Sequence, residues 1–382
     1  MGCACSSSSI IVRIEAHQDI CVEENNSDLS IAPVLQRPRN IQWCWTLSTH
    51  EEQWQNYTDI ENEIIEDAFN ENKNNNKVEI NKNFIIDFQR FIQYRTNAFY
   101  RDISIKRLQL DQNHKSVHFR EKRFGNAVVL ANSFFIQQEP WPKRFWRLAI
   151  ENKNKTMGDL TEDAATGIIK VGTSLGKAHE AQWLAKQLLA VKHHGNNVKA
   201  EYYRVPKQIG ETCVYLYTKE SFWYKSIYNF YCDYEFMSDE KLKTYAPFCH
   251  IMHLFLKKDF TSDSAISTVY RSLNLNDEQR MQFKKDNIKL VASTSSSKSR
   301  EYAECFGNTL LIIQLDGNTQ PHRTEEDIRC GSDISILSHY PHEQEFLIWP
   351  RTNFSFVKED YDEIQHRHII YLQCLQIMGA TF

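Results

Sequence analysis

An arginine, a serine-rich segment and a pair of glutamates follow one another in the last third of the chain. They are Arg271, Ser293–Ser295 and the pair Glu343 and Glu345. A guanidinium is a planar fork that can hold two phosphate oxygens at once, which a lysine cannot do. On a strand, positions i and i+2 point to the same face, so the two glutamates would lie roughly 6.5–7 Å apart. One carboxylate could then face a developing positive charge while the other docks a cationic group.

This series resembles the R-S-E signature of arginine-specific mono-ADP-ribosyltransferases, and the resemblance covers about residues 155–375. It implies that Arg271 grips the pyrophosphate of NAD and that Ser293 helps to position the nicotinamide ribose and Glu345. Glu345 would hold the ribose and stabilise its oxocarbenium charge, as acids do in glycoside chemistry. Glutamate at the position of Glu343 goes with arginine acceptors in the family. NAD is therefore the expected co-substrate, with NADP as a second candidate, and no metal is expected.

The segment after the arginine departs from the family pattern. Family members usually carry glycine there, whereas this chain has Ser272. A side chain at that position would hinder close approach of NAD or a left-handed backbone, so we expect weaker NAD binding. A second departure is that Val291 and Ala292 precede the serines, where an aromatic residue is often found.

Two other functions stay open at this stage. One is an NAD glycohydrolase, in which water replaces the arginine acceptor. The other is a catalytically inactive module that binds ADP-ribose or a protein, which Ser272 in place of glycine would favour. The Glu-x-Glu pattern alone is weak evidence for catalysis, because it also occurs at Glu61 and Glu63. A metal site at Cys249, His250 and His253 is not favoured, because no second ligand pair stands at zinc spacing. No glycine-rich dinucleotide or P-loop motif is present.

A second resemblance covers about residues 40–108, where tryptophans, a short helical segment and strand-like segments follow one another. The segments are Trp43 to Trp54, Ile-Glu-Asp-Ala-Phe at 65–69, Ile-Asp-Phe at 86–88 and Gln-Tyr-Arg at 93–95. This order resembles a WWE domain, and some WWE domains bind the iso-ADP-ribose unit of poly(ADP-ribose). Gln93 and Arg101 match polar ligand positions of that family. The domain would recruit an ADP-ribosylated protein or another protein partner.

The first six residues, Met-Gly-Cys-Ala-Cys-Ser, match the pattern for N-myristoylation at Gly2. Cys3 and Cys5 are placed for palmitoylation, and a second acyl chain makes a membrane anchor stable. No secretory signal and no run of 18 apolar residues is found, and the ten cysteines form no regular framework. We therefore expect a cytoplasmic protein anchored to a membrane. The net charge of −4 gives no indication of nucleic-acid binding.

Helical periodicity from about residue 155 is followed by strand-like segments after residue 268. Helices first and strands later, without alternation, predict an α+β domain. The expected fold is a WWE domain, a small antiparallel half-barrel with one helix, followed by an ADP-ribosyltransferase domain with a helical part and a two-sheet β core. The expected boundaries are a tail at 1–38, the WWE domain at 40–108, a connector at 109–154 and the transferase domain at 155–382.

Overall fold

The fold is known from a computed structural model, which describes eleven stretches of the chain. These are residues 31–37, 40–47, 54–71, 76–96, 102–110, 130–131, 140–233, 237–260, 266–285, 287–315 and 330–375. Strands come first, then helices, then a second group of strands. This order is the predicted α+β class, which is confirmed.

Six antiparallel strands and one helix form the N-terminal region. They are β1 (Ile41–Thr46), β2 (Gln55–Asn56), α1 (Asp59–Glu71), β3 (Lys77–Asn81), β4 (Phe84–Asp87), β5 (Ile92–Arg95) and β6 (Ile103–Gln109). The strand order is β2-β1-β6-β5-β4-β3. Trp43 and Ile86 are fully buried in the small core of this sheet, where Ile65 of α1 packs against them. Burial of such apolar side chains is the main source of stability for a sheet of this size.

Helix α1 is shared between two cores. Ile65 faces the small sheet, whereas Ile60, one and a half turns earlier, is fully buried among the helices that follow. A polar contact also holds α1 to the helical part of the chain, because Asp67 of α1 accepts a hydrogen bond from Trp183 Nε1 at 2.9 Å. The N-terminal region is therefore packed onto the helical part and does not hang on a free tether.

Six helices form the middle layer. They are α2 (Trp141–Phe145), which continues as a π-helical turn at Trp146–Ile150, α3 (Met157–Ser174), α4 (Ala178–Val191), α5 (Lys207–Thr218), α6 (Phe222–Cys232) and α7 (Asp239–Leu254). A capping box of Thr156 and Asp159 begins α3. A Cβ atom on Gly167 of α3 would lie 2.0 Å from the carbonyl oxygen of Thr244, so only glycine allows α3 and α7 to pack this closely.

The helical core extends beyond the predicted boundary of residue 155. Trp141, Phe145 and Ile150, which fall in the expected connector, are buried in this core. Ala32 and Val34, from the expected tail, are buried there as well. The core therefore includes apolar residues from both segments, of which the sequence predicts packing onto a domain only for the connector.

Nine strands form the second sheet. They are β7 (Leu130–Ala131), β8 (Thr268–Leu273), β9 (Ile288–Leu290), β10 (Thr294–Ser297), β11 (Thr309–Gln314), β12 (Gly331–Asp333), β13 (Glu345–Ile348), β14 (Asn353–Asp362) and β15 (Arg367–Leu375). Two short helices, α8 (Asp277–Phe283) and α9 (Arg300–Ala303), connect them. The order is β12-β13-β10-β8-β11-β15-β14-β9-β7, and only β11 and β15 pair in parallel among these described strands. Hydrogen bonds join all nine strands in one continuous sheet, so the strand pairing does not show the expected division into two sheets.

Candidate active site

Three neighbouring strands carry the predicted motifs. Strand β10 lies between β8, which contains Arg271, and β13, which begins at Glu345. Ser297 of β10 is directly opposite Tyr270 on one side and Glu345 on the other. Cross-strand partners share a face of the sheet, so these three side chains lie together. The fold thus brings motifs that are far apart in sequence to one part of the sheet.

The two glutamates do not lie on one strand, so the predicted i, i+2 arrangement is wrong. Glu343 ends a one-turn 3-10 helix at Pro341–Glu343, and Gln344 has a left-handed backbone with a φ of 48°. Strand β13 begins only at Glu345. The three residues therefore form a turn, which we call the glutamate bend. A left-handed conformation costs a residue such as glutamine about 1–2 kcal/mol, which the surroundings must offset.

Ser297 and Lys298 hold the glutamate bend in place. The hydroxyl of Ser297 donates to the carbonyl oxygen of Glu343 at 2.7 Å. The backbone N–H of Lys298 donates to the carbonyl oxygen of Gln344 at 3.0 Å. Ser297 is a site residue that sequence reasoning missed. Its only signal was a second serine triplet, Ser295–Ser297, which overlaps the first.

Each glutamate of the bend accepts a hydrogen bond from a hydroxyl. Tyr302 donates to Oε1 of Glu343 at 2.7 Å, and Ser338 donates to Oε2 of Glu345 at 3.4 Å. Both glutamates are fully buried. Hydrogen bonds to a carboxylate are strong in a low-dielectric interior, so these hydroxyls fix the directions of the two acids. Entry of any ligand requires the covering residues to move.

Arg271 is buried in β8 and donates from Nη1 to the carbonyl oxygen of Ser295. Alternation along β8 places it on the face opposite to Tyr270, and therefore opposite to Ser297 and Glu345. The guanidinium thus links β8 to β10, but the Arg271 side chain leaves β8 on the face of the sheet opposite to Glu345. Ser272 pairs with Leu310 inside the strand and does not have a positive φ, so its backbone does not need the freedom of glycine.

Ser293 lies at the other end of the serine segment from Glu345. It precedes β10, four residues before Ser297, which is about 13 Å along an extended chain. Its Oγ is 3.4 Å from Nε2 of His253, which also lies 3.3 Å from the hydroxyl of Tyr231. Burial lowers the pKa of His253 to about 3, so this imidazole is neutral at pH 7. The strand register gives Ser297, and not Ser293, the place beside Glu345 that the resemblance implied.

The N-terminal sheet encloses a cavity of about 570 Å³. Its lining includes aromatic side chains from Trp45, Tyr57 and Phe84 and the exposed guanidinium of Arg95, whose Cζ lies 5.3 Å from the Phe84 ring centroid. The predicted ligand residue Gln93 also lines the cavity, where its Oε1 accepts a hydrogen bond from the Tyr57 hydroxyl at 2.6 Å. Gln93 is therefore both a cavity residue and part of the buried structure.

Several predicted sites fall outside the described residues. They are the second WWE candidate, Arg101, and the lipidation candidates Gly2, Cys3 and Cys5. Across the described stretches, no group of three or more His, Cys, Asp or Glu side chains is arranged to hold a metal ion. Within the same stretches, no helix has both the length and the apolar character needed to cross a membrane.

Comparison with known families identifies the N-terminal region. Residues 41–107 match the family model of the WWE domain. This confirms the predicted WWE domain and agrees with the six-stranded sheet and its single helix. No curated protein matches the chain significantly in sequence.

The chain is also distantly similar to solved structures. One is the ADP-ribosyltransferase HopU1 of Pseudomonas syringae pv. Tomato, with 18% identity, 46% of this chain and 80% of that chain covered, and a TM-score of 0.36. Another is C3stau2 from S. aureus with NAD, which is 15% identical. The match covers 44% of this chain and 87% of that chain, with a TM-score of 0.33. A third is exoenzyme S from Pseudomonas aeruginosa, bound to carba-NAD and human 14-3-3 protein beta, which is 15% identical. The match covers 56% of this chain and 88% of that chain, with a TM-score of 0.36. Identities and scores at this level support no statement about chemistry.

Proposed function

We propose that the C-terminal domain transfers ADP-ribose from NAD to an arginine side chain of a protein and releases nicotinamide. The observation that carries this proposal is the arrangement of the neighbouring strands β8, β10 and β13. Ser297 of β10 lies between Tyr270 and Glu345, and its hydroxyl is hydrogen-bonded to the glutamate bend. The arginine, serine and glutamate motifs of the resemblance thus meet at neighbouring strands. NAD is the co-substrate in this proposal, and NADP is a second candidate.

Glu345 has the central role in the proposed reaction. Breaking the bond between nicotinamide and ribose creates positive charge on the ribose, which a fixed carboxylate stabilises. Ser338 directs Glu345 by its hydrogen bond, and Ser297 faces it from the adjacent strand. The burial of Glu345 strengthens this electrostatic effect, because water does not screen the charge. Arg271 is our candidate for the pyrophosphate of NAD on the resemblance alone, because in this structure its side chain leaves β8 on the face opposite to Glu345 and bonds Ser295.

Glu343 is the proposed docking group for the acceptor. A guanidinium is a poor nucleophile while it is charged, so an adjacent carboxylate must both bind it and accept a proton. The Tyr302 hydroxyl occupies one oxygen of Glu343 in the closed site, and an arginine would compete with or join this contact. Two alternatives remain. In an NAD glycohydrolase, water would take the place of the acceptor arginine. In a non-catalytic binding module, both acids would stay fully buried, as they are in this structure.

The test is incubation of the purified full-length chain with labelled NAD and agmatine, a free guanidine, while nicotinamide release and agmatine labelling are followed together. Release with labelling is the expected result. Release without labelling, on agmatine and on arginine-containing proteins alike, would identify a glycohydrolase. NAD binding without nicotinamide release over hours would overturn the enzymatic proposal in favour of a binding module.

We also propose that the WWE cavity binds an ADP-ribose unit attached to a partner protein. Its volume suits a nucleotide, and aromatic lining from Trp45 and Phe84 offers stacking surfaces for adenine. Arg95 supplies a cation for phosphate, and Gln93 offers an amide for ribose. A protein partner without ADP-ribose is the alternative for this domain.

Calorimetric titration with ADP-ribose and with iso-ADP-ribose tests the cavity. Arg95→Ala should weaken binding about tenfold or more, since a charged hydrogen bond to phosphate is lost. The matched control is Arg90→Ala, because Arg90 pairs with Asp102 outside the cavity lining. Equal affinities for the two variants, or no binding by the wild type, would contradict this proposal.

Membrane anchoring is a separate proposal that rests on the first six residues alone. Myristoylation of Gly2 and palmitoylation of Cys3 and Cys5 would hold the protein on the cytoplasmic face of a membrane. Gly2→Ala should move the expressed protein from the membrane fraction to the soluble fraction. An unchanged distribution, together with an unmodified N-terminal peptide by mass spectrometry, would contradict it.

A further inference from the structure

The loop that leads into the glutamate bend is attached to the WWE domain. The hydroxyl of Tyr340 donates a hydrogen bond to Oδ1 of Asp59, which is the first residue of α1. The second oxygen of Asp59 accepts the backbone N–H of Glu220 at 2.7 Å. Asp59 therefore uses both oxygens to join the loop and the α5–α6 junction to the start of a WWE helix. A carboxylate at that position is also favoured by the helix dipole.

A buried lysine makes a second connection between the same parts. Lys219 is fully buried, and its Nζ lies 2.7 Å from Oε1 of Glu63 in α1. The same Nζ lies 3.1 Å from Nδ1 of His339, the neighbour of Tyr340. The backbone N–H of His339 also donates to Thr218 Oγ1 at 2.9 Å. Two successive loop residues are thus fixed by groups that α1 itself holds.

The fixed loop residues are bonded directly to the glutamate bend. The carbonyl oxygen of Tyr340 accepts the backbone N–H of Glu343 at 3.1 Å. The backbone N–H of Tyr340 donates at 3.1 Å to Ser338 Oγ, which in turn donates to Glu345. Displacement of Tyr340 would therefore move the contacts of both acids. The connection from the WWE helix thus runs through Tyr340 to the backbone of Glu343 and, by way of Ser338, to the carboxylate of Glu345.

We propose that Asp59 is a positioning residue for the glutamate bend, so that the WWE domain forms part of the transferase site as well as a recruitment module. Its catalytic consequence rests on the proposed function, whereas the structural coupling does not. Asp59 faces two donors, and an asparagine of equal size offers only one acceptor oxygen. In Asp59→Asn the backbone N–H of Glu220, which can only donate, keeps the amide oxygen, and the amide NH2 faces the Tyr340 hydroxyl. The loop then loses its charged acceptor for a weaker neutral contact, and no cavity is left.

Hydrogen exchange of the full-length chain tests the coupling without any activity. The backbone amides of Glu343 and Gln344 bond within the 3-10 turn and should be protected. In Asp59→Asn they should exchange about tenfold faster, and Tyr340→Phe should have the same effect from the loop side. The matched control is Asp87→Asn, because Asp87 also accepts two backbone N–H groups, of Gln89 and Arg90, but within the WWE domain. Equal exchange in all these proteins would overturn the coupling.

Steady-state kinetics then test the positioning role. Asp59→Asn should lower kcat for nicotinamide release about tenfold with little change in KM for NAD, since misplaced groups lose transition-state contacts. Combining it with Tyr340→Phe should add little, and Asp87→Asn should keep wild-type kcat. A faster-exchanging loop with unchanged kcat would overturn the positioning role. If the wild type releases no nicotinamide, the proposed function fails, and the exchange experiment alone decides the coupling.

Discussion

Two Glu-x-Glu segments occur in this protein, and their backbones give them opposite roles. On helix α1, positions i and i+2 point to opposite sides, so Glu61 lines the WWE cavity whereas Glu63 binds the buried Lys219. At the glutamate bend, a left-handed Gln344 separates Glu343 from Glu345. There, each acid accepts a hydrogen bond from a hydroxyl. The same three-letter pattern therefore serves structure in one place and, in our proposal, chemistry in the other.

The comparison shows that partners, and not the pattern, decide the role of a carboxylate. Glu63 compensates a buried ammonium, so its removal leaves a charge without a counter-charge. Glu345 stands beside a serine strand and is directed by a hydroxyl, so its charge can serve a bound ligand. Substitutions in the first segment should therefore appear in stability, and those in the second should appear in catalysis.

The largest effect is expected for Glu345→Gln, which keeps the shape of the side chain and removes its charge. Nicotinamide release should fall about 1,000-fold, or ~4 kcal/mol in the barrier, because an amide cannot stabilise the ribose cation. Initial rates with labelled NAD measure this, and thermal unfolding confirms that the variant is folded. Glu278→Gln on the exposed surface of α8 is the control. Equal rates of nicotinamide release for Glu345→Gln and Glu278→Gln would contradict the catalytic role of the glutamate bend, and with it the difference between the two Glu-x-Glu segments.

Glu63→Gln should lower the free energy of unfolding by about 3 kcal/mol, because Lys219 would lose its counter-charge. Burial alone would lower the pKa of Lys219, but Glu63, together with the nearby Tyr215 and Asp59, outweighs burial and the pKa is raised. Urea denaturation at pH 7 measures the loss. Adding Lys219→Met to this variant should recover most of it, because the buried charge is then absent. A single variant as stable as the wild type would refute the structural role of the pair.

Acid should destabilise the helical layer through His250, which packs between Phe145 and Trp146. Burial lowers the pKa of His250 from 6.5 to about 4. The unfolded chain binds a proton below about pH 6.5 that the folded chain binds only near pH 4, so stability falls as the pH falls. Urea denaturation of the wild type and of His250→Phe at pH 7 and pH 5 should differ by about 2 kcal/mol in the pH-dependent loss. Parallel losses in the two proteins would contradict this effect.

The smallest effect is expected for Glu61→Gln. Glu61 is half-buried, and its carboxylate accepts hydrogen bonds from Thr58 at the start of α1. Loss of its charge near the helix N-terminus should cost about 0.5 kcal/mol, because solvent screens the site. Thermal unfolding at low and high salt measures it, and the difference should shrink in high salt. A loss as large as that of Glu63→Gln would remove the distinction between the two sides of α1.

The sequence predicts the fold class and the WWE domain well, because both rest on local patterns. Trp43 and Ile65 belong to the small core of the WWE domain, and helices precede strands in the chain after residue 140. The geometry of the site depends on tertiary pairing instead. Ser293 and Ser297 look alike in sequence, and only the register of β10 with β13 places Ser297 beside Glu345.

Two further features of the site had no readable signal. Gln344 is left-handed, although glutamine has no preference for that conformation, because Ser297 holds the carbonyl oxygen of Glu343 and Lys298 holds that of Gln344 itself. The contact between Asp59 and Tyr340 joins residues 281 positions apart. Such a pairing arises from the docking of two domains, and neither side chain indicates it locally.

The most direct test of the account compares Glu343→Gln with the wild-type chain, using labelled NAD and agmatine in one reaction. The proposed division of work predicts that nicotinamide release continues within about tenfold of wild type while agmatine labelling falls at least about 100-fold, since only the acceptor loses its carboxylate. The ratio of labelling to release is the quantity to measure. An unchanged ratio, with both activities kept or both lost together, would contradict separate roles for Glu343 and Glu345.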